Sequence, residues 1–168
     1  MRKVILDAVI HGEQAGTVFE NCMQFSKYPD LSPHVQSTTV ERTRPNPTGA
    51  SSWELLFRSG LLQWSEEERY LKDDLRMEFE QTEGDFDVFG GFWTFDQDND
   101  DVVLHFECDF DFGIESLAGI LDPIAERVIK ETVAWAVVEL HDDVRLGGDL
   151  QLVADKSRAA AGGVPNPN

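Results

Sequence analysis

The apolar positions of this chain fall into two periods. Val4, Leu6, Ala8 and Ile10 alternate with other residues, which predicts an edge or half-buried strand. From Glu13 to Phe25 the period lengthens. Val18, Phe19, Cys22 and Met23 recur at helical spacing, and Tyr28-Pro29-Asp30 is expected to end that helix. A short turn or helix through Leu31-Ser32-Pro33-His34 then leads into a series of strands. Val35 to Arg42 is rich in Thr and Val, and Arg44 to Gly49 is a turn. Ser51 to Arg58 places Trp53, Leu55 and Phe57 on one face, and Leu61 to Tyr70 runs to the turn Lys72-Asp73-Asp74. Leu75, Met77 and Phe79 alternate with Arg76, Glu78 and Glu80 as in a half-solvated strand. Phe86 to Phe95 continues around Gly90-Gly91, where a bulge or close packing is expected.

The stretch DQDNDD, from Asp96, puts Asp at loop positions 1, 3 and 5 and Glu107 at position 12, the oxygen positions of an EF-hand. Position 6, which needs glycine for the sharp bend, is Asp101. Downstream, Val102, Leu104, Phe106, Cys108, Phe110 and Phe112 take one face; Val103, His105, Glu107, Asp109 and Asp111 take the other. That period of two makes the segment a strand, in which Glu107 lies roughly 20 Å beyond the turn and cannot close on an ion. The reading is an acidic hairpin turn.

Leu117, Ile120, Leu121, Ile124, Val128, Thr132, Trp135 and Ala136 follow helical spacing. Asp122-Pro123 reads as an N-cap followed by proline at the first helical position, so a short segment leads into a main helix from Pro123 to His141. Beyond Arg145 the chain turns small and polar, so residues 1–145 are expected to form one domain and 146–168 a disordered tail. The predicted class is α+β: about seven antiparallel strands in one sheet whose apolar face is covered by the long C-terminal helix.

Composition narrows the function. The chain has 168 residues, is 41% hydrophobic and carries a net charge of −18, from 32 acidic and 14 basic residues. Such a surface repels phosphates and anionic headgroups, which argues against nucleic-acid and membrane partners. No apolar run approaches a membrane span, the N-terminus lacks the pattern of a signal peptide, and two cysteines give no disulfide framework. A cytoplasmic location is expected. No metal cluster, phosphate loop or Ser-His-Asp arrangement is evident, and no cofactor is expected. His105 falls on a polar face and His34 in a turn, neither with a carboxylate at a catalytic spacing.

The layout, with the phrases VFENCMQFSKYPDLSPHV, FGGFWTF and CDFDFGIESLAGILDPIAERVIKETV, resembles the START-like, helix-grip (SRPBCC) superfamily, and within it the polyketide cyclase/dehydrase and coenzyme Q-binding group. The resemblance covers roughly residues 3 to 142 and implies a curved sheet wrapped around the helix with a ligand cavity between them. It implies a polyketide cyclase/aromatase, a lyase of antibiotic biosynthesis, directing aldol closure and dehydration of a poly-β-ketone held on an acyl carrier protein. A homodimer is also compatible with it. Such chemistry needs a positioning cavity, a donor or cation for the developing oxyanion, and a base.

The family carries an arginine within a Trp-x-Ser-x-Arg pattern on the strand entering the cavity. In QWSEEERYL the resemblance puts Arg69 at the arginine position, Glu67 at the serine and Ser65 at the tryptophan, with Trp64 on the neighbouring phase. If Arg69 points inward, Ser65 and Glu67 do too, and an Arg69–Glu67 pair could polarise a ketone and accept a proton. Tyr28, Leu31 and Val35 correspond to the turn after the first helix, and Phe86, Phe89 and Trp93 to aromatic wall positions. Cys108, beside Phe110, stands where some members carry histidine or glutamine, and reads as a small buried hydrophobe. Trp53, Phe57, Met77 and Thr132 would line the cavity by periodicity. Arg42, Arg44 and Lys27 could form a basic rim for the carrier protein. The alternative is a non-catalytic carrier or self-resistance protein for a quinone-like or polyketide ligand. Arg69 and Glu67 decide between the two: if both face away from the cavity, the carrier reading gains.

Overall fold

The computed structural model describes residues 1–148 and 150–152. Eight strands form one antiparallel sheet, in chain order β1 (Arg2–His11), β2 (Val35–Arg42), β3 (Thr48–Phe57), β4 (Gly60–Leu71), β5 (Arg76–Gly84), β6 (Val88–Asp98), β7 (Asp101–Asp111) and β8 (Val144–Leu146). Their spatial order is β2-β3-β4-β5-β6-β7-β1-β8. The helices are α1 (Ala15–Cys22), α2 (Tyr28–Leu31) and α3 (Ala118–Leu140). This is the α+β helix-grip arrangement, a curved antiparallel sheet closed by the long helix α3. No helix of the described residues is long and apolar enough to cross a membrane.

The period of two in the sequence is the register of the sheet. Val4, Leu6, Ala8 and Ile10 of β1 face the core, paired with Cys108, Phe106, Leu104 and Val102 of β7, all eight at most 3% exposed. The β6–β7 hairpin closes at Asn99-Asp100, with Asn99 at φ 56°, a left-handed conformation that Asn tolerates in tight turns. Asp96, Asp98 and Asp100 are exposed, Glu107 sits mid-strand on Lys3 at 2.8 Å, and no potential metal-binding group occurs among the described residues. The turn serves a helix instead: Gln97 Oε1 accepts the Ala15 N–H at 2.7 Å, satisfying an orphan donor at the start of α1.

The first helix is shorter than its sequence pattern. α1 stops at Cys22, a tight turn spans Phe25–Lys27, and Tyr28–Leu31 is a separate helical turn begun with Pro29, which suits a helix start. Conversely, α3 begins at Ala118 and carries Pro123 inside it rather than at its first position. Near the helix start proline forfeits a single backbone bond, to Gly119, so the helix runs through. Leu117 and Ile120, expected on the covered stripe, are 40% and 57% exposed, so the first turn of α3 is left uncovered.

At the far end, β8 adds to β1 through Ala8↔Leu146 and Ile10↔Val144, and Leu150 and Leu152 pack partly buried against the core. The rest of the expected tail, from residue 153, lies outside the described residues.

Gly90-Gly91 marks close packing without any slip in the β6–β7 register. A Cβ on Gly91 would collide with the Glu107 carbonyl oxygen and sit 2.6 Å from Cys108 Cα, both backbone atoms. Gly91→Ala is therefore expected to cost about 3 kcal/mol, read from the urea unfolding midpoint. Gly119→Ala, with open space around it, serves as the control and should hold or slightly raise stability.

Candidate functional site

Between the sheet and α3 lies a cavity. Its walls come from Phe25 and Tyr28 before β2, Trp53 and Leu55 of β3, and Trp64 and Glu66 of β4. The far strands add Phe79, Phe89, Trp93 and Phe106, and α3 closes it with Ile129, Thr132 and Val133. The volume open to the centres of water-sized spheres is ≈ 40 Å³, which is room for about three waters. The aromatic rings pack against one another. Trp53 and Trp64 stack with centroids 5.8 Å apart and planes within 3°, and Phe89 lies 4.9 Å from Trp64. Glu66 is the one carboxyl on the wall, and no Lys, Arg or His shares it.

The site is built by the parity of β4. Leu62, Trp64, Glu66, Glu68 and Tyr70 point inward and are buried, while Ser65, Glu67 and Arg69 point outward. This corrects the orientation expected of the Arg69–Glu67 pair. The Arg69 side chain is 63% exposed and pairs with Glu78 on the outer face of β5; Glu67 is exposed beside it. Ser65 Oγ lies 2.7 Å from Ser52 Oγ on the same outer face. The inward phase instead gives Trp64-x-Glu66-x-Glu68. Neither a serine nor an arginine stands at these inward positions. The signal lay in the apolar residues, since Leu62, Trp64 and Tyr70 share the parity of the two glutamates.

Glu66 and Glu68 form a buried pair of carboxyls. Trp64 Nε1 donates to Glu66 Oε1 at 2.8 Å. Ser51 Oγ donates to Glu68 Oε2 at 2.6 Å and accepts from Trp53 Nε1 at 2.9 Å. Burial pushes Glu66 well above the usual carboxylate range, and the bond to Glu68 and its charge push further. Burial also raises Glu68, against the opposing pull of its bonds to Glu66 and Ser51 and of the Arg42 charge. Glu66 therefore carries a proton that it donates to Glu68, because two adjacent carboxylates out of water cannot both ionise. Gly49 leaves the space behind them. A Cβ there would stand 2.6 Å from both Glu68 Oε1 and the Tyr70 hydroxyl.

Of the other expected residues, Tyr28, Trp53, Phe89, Trp93 and Thr132 line the cavity. The Tyr28 hydroxyl is committed to the Cys22 carbonyl at 2.7 Å, and Thr132 Oγ1 to the Val128 carbonyl at 2.8 Å. Val35, Met77, Phe86, Cys108 and Phe110 are buried but pack behind the wall, and Leu31 and Phe57 are only partly buried. They are corrections to the expected lining: sharing a strand face with the cavity does not bring a residue within its short span. Burial pushes the Cys108 and Cys22 thiols up, so neither is a nucleophile. Phe25, Leu55, Trp64, Glu66, Phe79, Phe106 and the α3 residues Ile129 and Val133 join the wall unforeseen. His34 and His105 do have carboxylate partners: Glu131 and Asp7 come from remote segments, and Glu107 from the same strand as His105. His34 Nε2 lies 2.8 Å from Glu131 Oε1, tying the chain after α2 to α3, and His105 lies between Asp7 and Glu107 on the outer face. Of the expected basic rim, Arg44 is held by Glu20 at 3.1 Å.

An antiparallel sheet gripping a long helix over an aromatic cavity defines a helix-grip, small-molecule-binding class of fold. Residues 14–136 match the family model for polyketide cyclase/dehydrase and lipid transport, and the chain belongs to that family. None of the curated proteins matches. Among solved structures the chain is similar to TTHA0849 from Thermus thermophilus, at 20% identity and TM-score 0.73 over 83% of this chain and 96% of that one. It is similar to the Zhui aromatase/cyclase from Streptomyces sp. R1128, at 14% identity and TM-score 0.72 over 83% and 93%. It is also similar to a START superfamily protein from Mycobacterium smegmatis, at 14% identity and TM-score 0.65 over 80% and 93%. At these identities the likeness is one of fold.

Two outcomes are expected. Glu66 has its folded pKa above the unfolded value, so its contribution to stability is complete below the unfolded value and is lost as pH rises through the folded one. Wild type should therefore lose stability relative to Glu66→Gln from pH 4.5 upward, at a slope of at most about 1.4 kcal/mol per pH unit. Urea midpoints across that range check it; a gap independent of pH counts against the buried proton. Arg69→Ala removes an exposed ion pair and should change stability by less than about 1 kcal/mol.

Proposed function

We propose that the protein binds an apolar, aromatic-sized small molecule of the polyketide or quinone kind in its cavity and holds it without transforming it. The composition of the wall carries this reading. It is aromatic and aliphatic, its one carboxyl is protonated, and Arg69, which the resemblance put forward as the oxyanion partner, points to solvent. With its proton engaged by Glu68, Glu66 accepts a hydrogen bond from a ligand hydroxyl and so fixes the ligand's orientation. A fold shared with an aromatase/cyclase supports the ligand class. In this reading neither an acyl carrier protein nor a second subunit is required. A multi-ring ligand exceeds the open volume, so its entry moves α3 or the aromatic side chains apart.

Cyclisation and dehydration form a second reading, favoured by the Glu66–Glu68 pair. Glu66 would protonate the departing hydroxyl or the ketone oxygen and take a proton from the activated methylene, with Glu68 stabilising whichever form results. Arg69 and Glu67 have no part in it.

Three of the four tryptophans line the cavity, which makes fluorescence a direct test. A hydroxyanthraquinone is expected to quench them with a Kd of about micromolar. Phe89→Ala should weaken binding about tenfold, and Arg69→Ala should leave it unchanged. Added to a minimal polyketide synthase, the protein should leave the product mixture unaltered. Redirected products that vanish in Glu66→Gln while quenching persists would transfer the conclusion to the enzyme.

A further inference from the structure

The wall of the cavity offers a ligand several hydrogen-bond acceptors and almost no donor. Its polar side chains are Tyr28, Trp53, Trp64, Glu66, Trp93 and Thr132. Tyr28 and Thr132 spend their hydroxyl protons on the carbonyls of Cys22 and Val128. The indole N–H groups of Trp53 and Trp64 go to Ser51 and Glu66, and the Glu66 proton goes to Glu68. What remains is Trp93. It is 3% exposed, and its indole N–H has no hydrogen-bond partner among the described residues. That N–H is not sealed into the packing as the unpartnered Trp135 Nε1 is, so it opens on the space that the ring lines. Stacking on Phe95, with planes 7° apart, and an edge contact with Phe106 at 5.1 Å hold the indole in place. A buried donor left unpaired costs free energy until a ligand brings it an acceptor.

The acceptor side is set by Glu66, whose Oε1 takes the Trp64 N–H and keeps a second lone pair. Trp93 and Glu66 stand well apart. Met77 of β5 pairs with Trp93 on one side and Tyr70 on the other, and Glu66 lies four residues from Tyr70 along β4. Two strands across and four residues along place their Cα atoms about 16 Å apart. A single functional group cannot bond to both.

We propose that Trp93 determines which ligands the cavity takes: its Nε1–H donates to a carbonyl oxygen at one end of the ligand while Glu66 accepts from a hydroxyl at the other. This rests on the binding function proposed above and narrows its ligand to a hydroxylated aromatic ketone or quinone. A ligand without the carbonyl leaves the Trp93 N–H unpaired, and one without the hydroxyl brings Glu66 no donor.

The test compares three probes on one ring frame: a hydroxyanthraquinone, its methyl ether, and the corresponding hydroxyanthracene, which lacks the carbonyls. Tryptophan quenching and calorimetry are read on the full chain at a pH where the hydroxyl is neutral. Wild type is expected to bind the hydroxyanthraquinone about tenfold more tightly than either relative. Trp93→Phe keeps a ring and removes the N–H, and Trp53 and Trp64 still report by fluorescence. It should weaken the hydroxyanthraquinone about tenfold and the hydroxyanthracene by less than about twofold. A purely structural role for Trp93 weakens both alike, and that outcome overturns the inference. So does an undiminished advantage of hydroxyl over methyl ether in a folded Glu66→Met. Equal binding of all three probes by wild type overturns it whether or not the variants fold, and leaves the binding function standing. Silence from all three overturns both.

Discussion

Two carboxyls two residues apart on the buried face of one strand set the terms for the rest of this molecule. Out of water they cannot readily both be ionised, which pushes both upward in pKa and makes hydrogen-bond partners for their oxygens valuable. The surroundings meet most of that demand and leave Glu68 Oε1 without a side-chain donor among the described residues. Trp64 serves Glu66, Ser51 serves Glu68 and is itself held by Trp53, and Gly49 keeps the space behind them clear. Trp53 and Trp64, directly paired across β3 and β4, thereby have their ring orientation fixed from their nitrogen ends, and their stacking follows. The polar pair thus orders the apolar wall. A core of this kind gives up stability for a defined site, which is the usual sign that the site has a use.

Most of the fold was legible because it is periodic. The inward faces of β1 and β7 and the presence of α3 follow from periods of two and of 3.6, which burial enforces along the covered faces. Boundaries were less legible. α1 ends early because Phe25 and Tyr28 turn into the core as a separate unit. Pro123 sits inside a helix because so few backbone bonds are at stake near a helix start. β8 has only three residues, too few for any period to show.

The candidate site was harder for a specific reason. The run Glu66-Glu67-Glu68-Arg69 looks equally charged on both phases, and a charged residue is ordinarily placed outside. A lone arginine matching a family pattern pulled the reading to one phase, whereas Leu62, Trp64 and Tyr70 fixed the other. Apolar neighbours of like parity are the stronger guide, because each must be buried while a charged residue only tends to be exposed. The partnerships of His34 with Glu131 and of His105 with Asp7 join segments some hundred residues apart, and no local pattern reports on them.

Fold and electrostatics part company at this point. The helix-grip architecture supplies a cavity of suitable shape, and one strand supplies its polar end. The buried face of β4 carries a carboxyl pair and no basic residue. A developing oxyanion beside such a pair gains at most one proton-mediated hydrogen bond and meets a nearby negative charge. Membership of the family therefore constrains the fold and the place of the cavity much more than the chemistry inside it, which the side chains on the buried face of β4 set.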